Sequence, residues 1–170
     1  MEIYNEFSFQ HELGIHLRNR LPEFKVEFER NVTQFGFEKS KFVKREIDIS
    51  IIGRQSGNLE GVIELKYPRN GQVPETMFSF CKDISFLEQL QSAGFNQCIF
   101  VALADDPLFY SGQCEGISGL FRGVERIHGT IQKPTGKKDA SVTVHGSYDS
   151  HWSTISQSTK YCLIETKRRE

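Results

Sequence analysis

The sequence predicts an α/β domain in which a mixed central sheet is flanked by helices, with a small β extension at the C-terminal end. Three observations carry that expectation. Apolar residues recur at helical spacing near residues 5–20 and 74–93. Strand-like runs with a two-residue period lie between those segments. A nearly continuous apolar run at residues 97–103 then follows the second helix. The 170 residues fit one domain over residues 1–170, long enough for a core that needs no disulfide or metal staple.

Residues 5–20 read as a helix because Phe9, Leu13, Leu17 and Leu21 form one stripe and Pro22 stops it. Glu12 lies beside the stripe, on a flank shared with His16 and Asn19. Residues 24–30 alternate Phe24, Val26 and Phe28 against Lys25, Glu27 and Glu29, the pattern of a half-buried strand. In residues 43–52, Lys44, Glu46, Asp48 and Ser50 share one face and Val43, Ile47, Ile49 and Ile51 the other. In residues 61–67, Val62, Glu64 and Lys66 oppose Ile63, Leu65 and Tyr67. The polar segment 53–58 between these runs reads as a hairpin loop. Pro74 and Glu75 open the second helix, whose Phe80, Cys81, Ile84 and Leu87 face ends at Gly94. That helix lets the strand at 97–103 run parallel to its predecessor through a right-handed crossover. Beyond it, residues 111–123 are glycine-rich, a short helix or an irregular loop, and residues 126–132, 142–145 and 161–166 read as short strands extending the sheet.

The chemistry concentrates in the hairpin. If it is symmetric about Ser56, Asp48 faces Glu64 with Cβ atoms roughly 4.5–5.5 Å apart. Two carboxylates that close repel unless a cation lies between them, and hard oxygen ligands favour magnesium or manganese over zinc. The plain alternative is a salt-bridged surface in which Lys66 neutralises the two acids. The apolar partners Ile47, Ile49, Ile63 and Leu65 argue for a central hairpin, where three charges need a purpose. Glu46 reads as a solvated strand residue. His145, His151 and Cys114 match no ligand spacing and read as separate residues.

A helix acid, a strand aspartate and Glu-x-Lys on the next strand, here Glu12, Asp48, Glu64 and Lys66, resemble the PD-(D/E)XK nuclease superfamily of restriction endonucleases and Holliday junction resolvases. The expected αβββαβ order is similar to that superfamily's core; the proline that precedes its aspartate is replaced here by Ile47. The resemblance implies a restriction endonuclease-like fold and a metal-dependent DNA endonuclease of restriction or defence type. It implies that Asp48, Glu64 and the Leu65 carbonyl hold magnesium or manganese, that Glu12 acts through water, and that Lys66 orients or deprotonates the attacking water. It also points to Lys82 and Gln89 on the second helix as polar contributors. Lys133, Lys137 and Lys138 form a basic loop suited to gripping a phosphate backbone. A catalytically inactive nucleic-acid-binding or scaffold protein on the same fold is the rival from another class, and a ribonuclease is the rival enzyme.

Composition sets the outer bounds. A formal net charge of −1 excludes a polycation that coats nucleic acid indiscriminately, so any affinity must come from a local patch. Cys81, Cys98, Cys114 and Cys162 are scattered, with no Cys-x-x-Cys pair, as expected of reduced thiols in the cytoplasm. No stretch reads as a signal peptide or a membrane span. A unit this small would cut both strands of DNA most naturally as a homodimer.

Overall fold

Helix α1 runs Glu6–Arg20 in the computed structural model, which describes residues 3–69, 71–136 and 140–168. Asn5 closes a capping box: its side chain accepts from the Ser8 N–H at 2.8 Å, and the Ser8 hydroxyl accepts from the Asn5 N–H at 3.0 Å. Phe9, Leu13 and Leu17 pack on the sheet, as their spacing predicts. Gly14 allows the close approach, since a Cβ there would fall 2.1 Å from the ring of Phe28 on β1 (Phe24–Asn31).

Strands β2 (Glu46–Gly53) and β3 (Leu59–Lys66) follow, then α2 (Val73–Ala93) and β4 (Gln97–Ala104). Gly94 ends α2 at φ 131°, a conformation that side-chain-bearing residues avoid. The C-terminal part adds α3 (Ile117–Phe121), β5 (Ile127–Gln132), β6 (Ser141–Tyr148), β7 (Trp152–Thr154) and β8 (Lys160–Glu165). The main sheet has six strands in the order β1-β2-β3-β4-β8-β7 and is mixed: β3 and β4 run parallel, and the other neighbours antiparallel. The α2 crossover is what a parallel β3/β4 pair requires. This is a mixed α/β structure.

The extension differs from the sequence expectation. Of the three runs, only 161–166 joins the main sheet, through β8; β5 and β6 form a hairpin of their own. The hairpin's apolar residues Val142 and Val144 are buried in the same core as α2, rather than continuing a sheet edge.

The sheet is covered on both faces. Phe9, Val26, Ile49, Ile63, Leu65 and Leu103 pack on the α1 side. On the α2 side Phe80 lies among Phe100, Phe109 and Phe121, with ring centroids 5.3–5.8 Å apart. Each fully buried side chain of this kind contributes about 1.5–3 kcal/mol relative to exposure. Among the described residues no helix is long and apolar enough to cross a membrane.

One feature of the sheet positions the site. Ile49 and Ile51 pack on the α1 side, but Ile47, which strict alternation puts with them, is buried on the α2 side. Both β1 and β2 break alternation at one level: Glu29 lies between the paired positions Phe28↔Ile49 and Arg30↔Ile47, opposite Asp48, and has φ 50°. A left-handed residue twists β1 there, and β2 follows through its pairing. Ile47 and Ile49 therefore face opposite sides, with Asp48 at the switch.

Candidate functional site

The β2/β3 register places Ile49 opposite Ile63 and Ser50 opposite Val62, as a hairpin symmetric about Ser56 requires. One step further, Asp48 stands opposite Glu64. There side chains take over from the backbone ladder. The Leu65 N–H donates to Asp48 Oδ2 at 2.7 Å, and the Asp48 N–H donates to Glu64 Oε1 at 3.3 Å.

Glu64 is completely buried and points to the α2 side. Lys44 Nζ donates to Glu64 Oε2 and, at 2.7 Å, to Oδ1 of Asp83 on α2. Lys66 Nζ lies 2.9 Å from the Leu65 carbonyl oxygen, 3.2 Å from Glu6 Oε1 and 3.4 Å from Asp83 Oδ2. That Asp83 oxygen is buried and accepts no hydrogen bond. On the α1 side, Gln10 Nε2 donates to the Asp48 carbonyl at 2.8 Å and to Glu29 Oε1 at 2.6 Å, while Glu6 accepts from the Tyr67 N–H at 3.2 Å. Glu6, Phe7, Gln10, Glu29, Asp48 and Leu65 line a pocket of about 180 Å³.

The electrostatics follow from burial. Desolvation pushes Asp48 up to about 6 against the pull of Lys44, the Leu65 N–H and Lys66. Desolvation, and then the neighbouring Asp48, hold Glu64 well above the usual carboxylate range. Burial alone would lower both lysines, yet each is raised: Lys44 by Glu64, Asp83 and Asp48, and Lys66 by Asp83, Glu6 and Asp48. Both therefore remain ammonium ions at neutral pH.

The donors here are carboxylate and carbonyl oxygens, which suit magnesium or manganese. Glu6, Glu29, Asp48, Glu64 and Asp83 outnumber Lys44 and Lys66, so the cluster is short of positive charge. Among the described residues, however, no three metal-binding side chains converge on one point; Lys44 bridges Glu64 and Asp83, and Lys66 bridges Glu6 and Asp83. The donor chemistry fits a divalent cation; the chain's own ammonium groups offset part of the acidic charge.

Of the residues expected from the sequence, Asp48, Glu64, Leu65 and Lys66 come together. Glu12 does not: it pairs with His11 at 3.2 Å and does not line the pocket. The α1 residues that reach the site are Glu6 and Gln10, one helical turn apart, and Glu12 lies too far round the helix from Gln10 to join them. On α2, Lys82 is exposed and Gln89 accepts from the Val43 N–H at 2.9 Å, so neither joins the cluster; Asp83 does. Lys133 pairs with Glu75 at 3.6 Å, and Lys137 and Lys138 lie outside the described residues. Asp83 is not among the residues the sequence motif points to, although it carries a signal: it sits among Phe80, Ile84 and Leu87 on the apolar face of a helix, where an acid is rarely buried without a partner. All four cysteines are free, and burial pushes Cys81, Cys98 and Cys162 up to about 12, which makes them poor thiolate nucleophiles.

No family model matches the chain, and no curated protein or solved structure matches it.

Proposed function

We propose that the protein is a metal-dependent DNA endonuclease with a restriction endonuclease-like core of the PD-(D/E)XK type. The observation that carries this reading is the meeting of Asp48 with Glu64-Leu65-Lys66 where the β2/β3 ladder gives way to side-chain bonds, in a cluster richer in carboxylates than in cations. The order helix, three strands, helix, strand, with β3 and β4 parallel, supports it.

Asp48, Glu64 and the Leu65 carbonyl would hold magnesium or manganese, with Glu6 in the place the sequence suggested for Glu12. The bound ion would neutralise the scissile phosphate and acidify its water. Lys66 is held as an ammonium by Glu6, Asp83 and the Leu65 carbonyl, so it acts as a cation that orients water and meets the charge developing on phosphorus. Gln10 fixes the Asp48 backbone, which keeps the carboxylate aligned with the Leu65 N–H.

The test is incubation of plasmid, single-stranded DNA and RNA with magnesium, manganese or EDTA, comparing the parent protein with Lys66→Ala. DNA cleavage with either metal and none in EDTA is expected. The variant should bind DNA in calcium about as well as the parent and cleave at least roughly a hundredfold more slowly, the lower end of what one electrostatic donor to the transition state contributes. Cleavage of RNA alone would make the protein a ribonuclease. Cleavage of nothing would favour an inactive binding or scaffold protein.

A further inference from the structure

We infer that Lys44 is the internal counter-cation of the metal site: it holds Glu64 in the metal-free protein, and a divalent ion binds by taking Glu64 from it. The inference rests on the nuclease reading above and assigns a role to a residue outside the Asp48, Glu64 and Lys66 set.

Both Glu64 oxygens are engaged by the chain, Oε2 by Lys44 Nζ and Oε1 by the Asp48 N–H at 3.3 Å. A divalent ion approaching the buried Oε2 meets the charge of the Lys44 ammonium already on that oxygen. Lys44 is the partner free to leave. It comes from the irregular segment ahead of β2, and its side chain is a quarter exposed where that of Glu64 is fully buried. The backbone around it is pinned, the Val43 N–H on Gln89 and the Arg45 carbonyl by the Val32 N–H, so the exchange moves a side chain and no strand.

Asp83 makes the exchange practicable. It lies 2.7 Å from Lys44 and is 2 % exposed, with its second oxygen accepting no hydrogen bond. A Lys44 that releases Glu64 keeps Asp83 as an acceptor, and neither charge is stranded without a partner. The same geometry explains why no three donors converge among the described residues: a cation belonging to the chain already bridges two of the acids. Like charges disfavour each other at this range, so the ammonium and the metal compete for Glu64.

The test is calorimetric titration of manganese into the parent, Lys44→Met and Lys44→Arg, together with the Lys44 side-chain resonance of labelled parent protein followed through a magnesium titration. Lys44→Met should bind manganese at least tenfold more tightly than the parent, Lys44→Arg no more tightly, and the parent's Lys44 resonance should move as magnesium saturates. A parent that binds metal while Lys44→Met binds no more tightly would overturn the exchange and leave the nuclease reading intact. A parent that binds no divalent ion overturns both. Should Lys44→Met fail to fold, the parent decides alone: a Lys44 resonance unmoved by bound magnesium sinks the inference.

Discussion

Burial sets how Asp48 responds to acid, because a carboxyl raised from 3.8 to about 6 keeps its proton in the folded protein over a range where the unfolded chain has already lost it. Between those values the native state binds more protons than the unfolded state. Stability therefore falls as pH rises through this window, and the penalty is complete above about 6. Glu64 is pushed the same way and adds to the slope, whereas Lys44 and Lys66 stabilise the fold below 10.5 and lose that contribution only as pH rises beyond it. Asp48→Asn should flatten the decline between 3.8 and about 6 when unfolding is followed in EDTA, and should abolish magnesium or manganese binding. An unchanged slope would place the titrating group elsewhere. At this scale Asp48, Glu64 and Lys66 were legible because a strand's two-residue period and a hairpin's symmetry fix which residues meet. Lys44 and Asp83 were not, because the contact that joins them crosses from an irregular segment to a helix 39 residues away, which no local period encodes.

Elements place single side chains at the site and are themselves held by single side chains. Glu88 on α2 is one of these: its carboxylate accepts from the His145 N–H at 2.9 Å, the Gly146 N–H at 2.6 Å and the Tyr148 hydroxyl at 2.9 Å, all on β6. Hydrogen bonds to a carboxylate are stronger than neutral ones, and removing this acceptor takes their partner from the His145 and Gly146 N–H groups. Glu88→Ala should lower stability by at least about 2 kcal/mol in denaturant unfolding. Because the hairpin packs on α2 and contributes no residue to the cluster, manganese affinity should stay close to that of the parent; a loss of affinity matching the loss of stability would show that the hairpin also supports the site. Helices and strands up to residue 104 were legible from periodicity, with Pro22 and Gly94 as the stops; the Asn5 cap was not singled out in the sequence. The separate β5/β6 hairpin was not, since a short alternating strand reads the same whether its partner is the main sheet or its own neighbour. Nor was the face switch at Asp48, because the left-handed residue that accompanies it is Glu29, not a glycine or an asparagine.

The described residues hold one such cluster and the chain has a formal net charge of −1, and both facts bear on how it would meet DNA. With no general excess of positive charge, attraction to the phosphate backbone must be local, and binding should weaken only moderately as salt rises. One cluster addresses one phosphodiester. A duplex presents two equivalent phosphates related by a dyad, so breaking both strands in a single event needs two sites related by the same symmetry, which a homodimer supplies. Light scattering or sedimentation of the protein on short duplex DNA in calcium, where cleavage is stalled, should therefore show two chains per duplex. Plasmid cleavage in magnesium should then produce linear product directly, with little accumulation of the nicked circle. A protein that stays monomeric on DNA and still linearises plasmid in one event would refute the dimer. A monomer that stops at the nicked circle would leave the site assignment standing and make the protein a nickase.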